Sequence, residues 1–452
     1  MELNCPYFKK CGGCDFLDVD YNEELLYKKK EVEKELKRNN IFTKVEDTVK
    51  MYYPSKYRNN VHLAVGMKDN EVVVGFYKKG SKTIIDVNGC SLFNSWLDKL
   101  IKIIKKFVKD FKIKPYDLET NKGIIRYVTA RHYKNNIIVT LVVTSQNFGG
   151  KEVLYNELKK EFNKVSLWLN INNRTDSAVF SNNFIHKYGE QKLDINICGI
   201  SAKILPKSFV QTNIEITNKI YKKAVDEIIS SKCNKVIDLF SGIGITSNIF
   251  AKNGLNVLSV EMEKSSVMDA FEIAKENRTQ DKIKFLLGKC EDVIDEIKEF
   301  SDDNTSVFVD PAKNGINSDV IEAIKKINPK KIVYMSCNPE TMARDLKLFI
   351  NDNQYQLQSV TPYDMFARID HIEVLSVLTK IDKNVKNTTK SNKLSKDFTK
   401  DKSRNKATKV DKNRVNIAKT DKNRGKININ KKENEVKQNK KLEVRNGKKT
   451  RR

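Results

Sequence analysis

No apolar run in this sequence is long and uncharged enough to span a bilayer, and no basic stretch followed by an apolar core opens it like a secretory leader. A membrane partner is therefore not expected. Cysteine is scarce, at 8 in 452 residues, too few to staple a chain of this length with disulfides. A reducing cytoplasm is the expected location, where clustered cysteines more often mark metal binding or catalysis than disulfides. The chain also lacks a phosphate loop. "VIDLFSGIGIT" (236–246) places Gly242 and Gly244 at a strand-to-helix turn, without the third glycine of a dinucleotide fingerprint or a following Lys-Ser/Thr. The ligand expected at this turn is an uncharged or cationic group approached closely by backbone.

Positive charge is abundant but uneven. Of the net +26, a surplus of 18 lies from Ile381 onward (26 Lys/Arg against 8 Asp/Glu), leaving +8 for residues 1–380. That Lys/Asn-rich tail holds too little apolar surface to offset the entropy of ordering it, so residues 381–452 are expected to be disordered. A flexible polycation suits a phosphate backbone, and RNA is the expected partner.

Upstream, "NEELLYKKKEVEKELKRNN" predicts a charged amphipathic helix burying Leu25, Leu26, Val32 and Leu36. Between about Tyr52 and Ile200, short β-branched runs such as "NVHLAVG", "EVVVGFY" and "NNIIVTLVVT" predict strands, with "DKLIKIIKKFVKDF" as a helix among them. From about Ser201, "KVIDLF", "NVLSVE", "KIKFLLG", "SVFVDP" and "KIVYMSC" alternate with helical segments. Strict alternation predicts an α/β, doubly wound parallel sheet, closed by "YQLQSVTPYDMF" and "HIEVLSVL". In such a sheet ligands bind beyond the carboxyl ends of the strands. Phe240, Glu261, Asp310 and Cys337 each stand at such an end. Glu261, 19 residues after Gly242, suits the two hydroxyls of a ribose. A ribose-binding acid without a phosphate loop points to S-adenosylmethionine.

Two groups of cysteines remain. Cys337 precedes Asn338, a good N-cap, and Pro339, which fits a first helical position. The positive end of a helix there would favour thiolate over thiol, although a buried structural cysteine also fits. Cys5, Cys11 and Cys14 have the spacing C-x5-C-x2-C, with Cys90 far downstream. All-thiolate ligation suits an iron–sulfur cluster or zinc, and the spacing differs from the C-x3-C-x2-C of radical enzymes. Cys198, Cys233 and Cys290 read as core or incidental residues.

Taken together, "CPYFKKCGGC", "YRNNVHL", "GFYKKGSKTIIDVNGC", "SFVQTN", "DLFSGIGITS", "VEMEKSSVMDA", "VFVDPAKNG", "SCNPETMARDL" and "HIEVLSVL" resemble the RNA uracil-5-methyltransferase family, in its iron–sulfur branch acting on 23S ribosomal RNA. The resemblance covers nearly all of residues 1–380. It implies a Rossmann-like S-adenosylmethionine-dependent methyltransferase domain at 201–380. Ahead of it would lie a cysteine-cluster region at 1–90, continuous with an α+β RNA-binding domain at 91–200. It further implies Gln211, Phe240, Glu261 and Asp310 as cofactor contacts, Cys337 as nucleophile and Glu373 as base. Cys5, Cys11, Cys14 and Cys90 would ligate a [4Fe–4S] cluster, with zinc the alternative. The expected protein is a monomer that methylates carbon 5 of a uridine in 23S rRNA. A transfer-RNA enzyme of the same family, or a non-catalytic RNA-binding or ribosome assembly factor, are the alternatives. Asp310-Pro311 lacks the following cysteine that serves cytosine-5 relatives. The family's usual Pro and Arg after that dipeptide are Ala312 and Lys313 here, and its Pro and Thr before His371 are Ala367 and Ile369. Many relatives carry a β-barrel RNA-binding domain ahead of the cysteines. Only four residues precede Cys5 here, so the basic tail is expected to take over part of that role.

Overall fold

The computed structural model describes residues 4–176 and 178–382. The expected disordered tail beyond Asp382 lies outside them. Helix α1 (Tyr21–Arg38) leads into strands β1 (Asn60–Lys68), β2 (Glu71–Tyr77) and β3 (Ile84–Asp86). Helix α2 (Trp96–Asp110), strands β4 (Ile125–Tyr133) and β5 (Asn136–Val143), helix α3 (Lys151–Glu161) and strands β6 (Lys164–Ile171) and β7 (Phe184–Gly189) follow. These strands form one seven-stranded sheet, ordered β3-β2-β1-β4-β5-β6-β7. Only the β5–β6 pair is parallel, because α3 carries the chain across between them. Helix α2 buries Leu97, Leu100, Ile101 and Ile104 against this sheet, a stripe with the 3.6-residue period. Helix α3 was not expected from the sequence. Its buried face is only Leu154 and Leu158, too narrow a stripe to stand out among lysines and glutamates.

A two-stranded unit, β8 (Leu193–Ile197) and β9 (Ile200–Ile204), comes next. Helix α4 (Ile214–Ser230), which the sequence reading also passed over, then begins at Asn213, whose side chain accepts from the Ile216 N–H. The second half alternates as expected: β10 (Lys235–Leu239), α5 (Ile245–Lys252), β11 (Asn256–Glu261), α6 (Lys264–Asn277), β12 (Ile283–Leu287), α7 (Ile294–Phe300), β13 (Thr305–Val309), α8 (Ser318–Ile327), β14 (Lys331–Ser336) and α9 (Pro339–Ile350). Strands β15 (Tyr355–Tyr363) and β16 (Glu373–Lys380) close a sheet ordered β12-β11-β10-β13-β14-β16-β15. Pairs from β12 to β14 are parallel, whereas β16 runs antiparallel to β14 and to β15. Both faces are covered. Val236, Val257, Phe308 and Val333 pack in one core with Ile216, Ile220 and Phe250. Their neighbours Ile237, Leu258, Val309 and Tyr334 pack in the other with Ile324, Leu346 and Val32. Two-sided burial explains why these strands read as unbroken apolar runs.

Helix α1 departs from expectation in its buried face. Leu25, Val32 and Leu36 are buried, but Leu26 is exposed, and Glu24 and Lys28 are buried instead. Among the described residues no helix is long and apolar enough to cross a membrane.

Candidate active site

The parallel strands deliver their last residues to one edge. Phe240 leaves β10 with φ +62°, followed by Gly242 at +55° and Gly244 at +72°, a left-handed path that turns the chain sharply into α5. A Cβ on Gly244 would stand 2.9 Å from that of Ala270, so glycine there also lets α6 approach. Glu261, at the end of β11, accepts from the Gly242 N–H at 3.0 Å and from the Glu263 N–H at 2.8 Å. One oxygen, Oε2, is thus held to the glycine turn and the other, Oε1, to the backbone that leads into α6. Asp310 follows β13, with its N–H on the Leu239 carbonyl at 3.4 Å.

Cys337 and Glu373 meet through strand register. Ser336, the last residue of β14, pairs with Val374 of β16, so Cys337 and Glu373 each lie one residue from the closing pair of that ladder. The Glu373 side chain is buried, and its Oε1 has no hydrogen-bond partner. A buried, unpaired carboxyl oxygen is costly, and such groups mark places where a ligand or reacting atom completes the set.

Electrostatics couple the two residues and bear on one expectation. Asn338 does cap α9, accepting from the Glu340 N–H, but the thiol of Cys337 is pushed up, to about 11. Burial is the main cause and the Glu373 and Asp310 carboxyls add to it, while Lys313 opposes them. In the free protein burial thus works against the thiolate that the helix end favours. Burial also raises Glu373 well above the usual carboxylate range, helped by Asp310. Asp310 itself rises to about 7, through burial and the neighbouring Asp238.

Asp238 was missed by the sequence reading, although an acid inside the apolar strand "VIDLF" was a usable signal. It is fully buried, accepts from Thr246 Oγ1 at 2.7 Å and from Ser247, and so holds the start of α5 on β10. Tyr221 of α4 was missed too. Burial raises its phenol, and the charges of Asp310, Glu373 and Asp238 add to the effect. Gln211 lies on the β9–α4 loop. Its carbonyl accepts from Asn59 Nδ2 at 3.0 Å, tying that loop to the segment entering β1.

The acids carry a stability consequence. Asp310 binds its proton more tightly folded than unfolded, so its favourable contribution is complete below pH 4 and is lost as pH rises through about 7. Asp310→Asn should therefore raise the melting temperature by several degrees at pH 8 and by much less at pH 5. Thermal unfolding at both pH values checks this. An equal shift at both would mean that the carboxyl is not protonation-linked to folding.

Cys5, Cys11, Cys14 and Cys90 line a separate cavity of about 60 Å³, with Arg58, Tyr7 and Phe93. Burial raises Cys14 to about 12 and Cys90 to about 11. As they stand among the described residues, no three or more His, Cys, Asp or Glu side chains are grouped as a metal site. Cys233 and Cys290 are buried and Cys198 is half-buried.

A protein family described as tRNA (Uracil-5-)-methyltransferase matches this chain over residues 20–381. The chain belongs to the RNA uracil-5-methyltransferase family. An uncharacterised RNA methyltransferase of Caldanaerobacter subterraneus is 34% identical over 381 residues, 83% of this chain and 84% of that one. A similarly described protein of Listeria innocua is 32% identical over 382 residues, 84% of each chain. This family member is accordingly an S-adenosylmethionine-dependent RNA methyltransferase. The solved Pyrococcus abyssi tRNA (uracil-54, C5)-methyltransferase, in complex with S-adenosyl-L-homocysteine, shares the fold. Its TM-score is 0.68 at 23% identity, over 82% of this chain and 86% of that one.

Proposed function

We propose that this enzyme methylates carbon 5 of a uridine in 23S rRNA through a temporary bond between Cys337 and the base, acting as a monomer in the cytoplasm. The observation that carries the reading is that Cys337 and Glu373 both flank the closing Ser336–Val374 pair of the β14–β16 ladder, at the sheet edge where Glu261 and Asp310 also stand. Uracil carbon 5 is too weakly nucleophilic to take a methyl group unaided. Addition of the Cys337 thiolate at carbon 6 gives an enolate, which splits one hard step into two easier ones. Carbon 5 then attacks the sulfonium methyl, and S-adenosylhomocysteine leaves. Glu373 takes the proton from carbon 5, the carbon–sulfur bond breaks, and Cys337 departs as thiolate. Gln211, Phe240, Glu261 and Asp310 would hold the methyl donor, with Glu261 already fixed to meet ribose hydroxyls.

The residues around the four-cysteine cavity suit a [4Fe–4S] cluster in donor type, since Cys5, Cys11, Cys14 and Cys90 are all among its lining residues and Arg58 offers a counter-charge. Zinc is the second choice. Cys5, Cys11, Cys14 and Cys90 would ligate the group, which we read as structural or RNA-facing. We keep residues 1–90, 91–200 and 201–380 as the division of labour between cysteine-bearing, RNA-binding and methyl-transferring parts.

A transfer-RNA uridine is the second reading, favoured by the description of the matching family and by the Pyrococcus neighbour. The four cysteines weigh against it, because the transfer-RNA branch usually lacks them. The retained Cys337 and Glu373 weigh against a non-catalytic assembly factor. Total RNA from a strain lacking this enzyme, treated with purified protein and S-adenosylmethionine carrying a tritiated methyl group, separates these readings. Label in 5-methyluridine of 23S rRNA is expected. Label confined to transfer RNA would overturn the substrate assignment, and none at all would overturn the activity.

A further inference from the structure

Helix α1 buries a charge cluster that the reaction chemistry does not use. The side chains of Glu24, Lys28 and Asp364 are fully buried, and that of Arg368 almost so. Lys28 Nζ lies 2.8 Å from Glu24 Oε1 and 2.5 Å from Asp364 Oδ1, and donates to the Phe366 carbonyl at 3.0 Å. Glu24 Oε1 also accepts from the Arg368 backbone N–H at 2.7 Å, and Arg368 Nη1 stands 3.5 Å from Glu24 Oε2. Two acids face two bases, so the cluster is neutral as a whole. Buried ion pairs of this kind often add little net stability over an apolar core, and in some proteins they fix one conformation.

The conformation fixed here is that of the segment 364–370, which connects β15 to Glu373. Arg368 sits at φ +70°, a left-handed geometry that a bulky side chain adopts only when its surroundings impose it. Its carbonyl accepts from the Asp15 and Phe16 N–H groups, and Tyr57 Oη donates to the Ala367 carbonyl at 2.9 Å. On the other side, Asn213 Nδ2 donates to the Met365 carbonyl at 3.1 Å, two residues after Gln211. Five residues past Arg368, Glu373 enters β16 with its orphaned oxygen.

We propose that the Glu24–Lys28 pair is a positioning device for Glu373: it locks the segment that aims this carboxyl at the base, so that losing it slows release of methylated RNA without slowing attack by Cys337. The inference rests on the covalent reading above, and it predicts a split between two steps that a general loss of structure would not give.

The test compares the full-length protein with the charge-balanced variant Lys28→Met/Asp364→Asn, which leaves Glu24 and Arg368 as a pair. A second, milder variant, Glu24→Gln, keeps an acceptor oxygen for the Arg368 N–H. Lys34→Met, in an exposed pair with Glu31, is the control. Each is assayed on 23S rRNA fragments carrying uridine or 5-fluorouridine. The fluorinated base cannot lose a proton from carbon 5, so adduct formation on it reports attack and methyl transfer without the base. Expected are normal adduct formation on 5-fluorouridine RNA, turnover on uridine RNA lower by about 100-fold, and a protein–RNA adduct accumulating on the ordinary substrate. Glu24→Gln shows the same split at smaller size, and decides the matter if the double variant does not fold. Unchanged turnover, or equal loss of both steps in a variant with native melting behaviour, overturns the proposal. Absence of any adduct with the unaltered protein sinks the covalent reading instead.

Discussion

Cys337→Ala should leave no detectable 5-methyluridine and no covalent adduct with RNA carrying 5-fluorouridine, while binding of S-adenosylmethionine persists. Of Phe240, Glu261, Asp310, Cys337 and Glu373, only Cys337 carries a nucleophile suited to carbon 6. Glu373 and Asp310 are carboxyls held toward the protonated form by burial, and carboxylates are poor nucleophiles toward a pyrimidine. In enzymes whose catalytic groups act as a unit, removing the nucleophile costs up to about 10⁶ in kcat. The raised thiol sharpens the expectation. With Cys337 near 11, the reactive thiolate is scarce at neutral pH, and kcat/KM should climb about tenfold per unit between pH 7 and 9. A flat profile would show that the thiol proton is taken within the complex before attack. Adduct formation by Cys337→Ala would remove this residue from the chemistry altogether.

The second half of the chain was legible because burial on both faces writes itself into local composition. Strands β10 to β14 are runs of Val, Ile, Leu and Phe, and a polar residue at the end of such a run faces the ligand edge. Glu261, Asp310 and Cys337 could be placed at that edge from the alternation alone. What the sequence concealed depends on partners far along the chain. Leu26 looked like a core residue of α1, yet that helix turns Glu24 and Lys28 inward, because Asp364 and Arg368, more than 330 residues away, neutralise them. Periodicity treats a lysine as solvent-facing, and only the tertiary partner reverses this. Cys337 is a similar case. Its cap, Asn338 and Pro339, was readable and is present. The partial burial that raises its thiol depends on the tertiary packing around β14, which no local pattern records.

Glu373→Gln should transfer one methyl group and then stall, leaving protein bonded to methylated RNA made with ordinary uridine. Loss of a positioned general base costs typically 10²–10⁴-fold, so turnover should fall by roughly that factor while the first methyl transfer proceeds. The argument turns on protonation. Burial and the neighbouring Asp310 hold Glu373 well above the usual carboxylate range, so its ionised fraction, and with it the rate of proton removal from carbon 5, should grow as pH rises. Glutamine matches the carboxyl in size and can still occupy the space beside Cys337, but it cannot accept that proton. Asp310 is the competing candidate, since it is half-buried and its carboxyl is also raised. The two separate by phenotype: Asp310→Asn should weaken binding of the methyl donor without trapping RNA. Denaturing gels of each variant with uridine-containing RNA read the difference directly. An adduct trapped by Asp310→Asn, with near-normal turnover in Glu373→Gln, would reverse the two roles and break the link between the β14–β16 register and the chemistry.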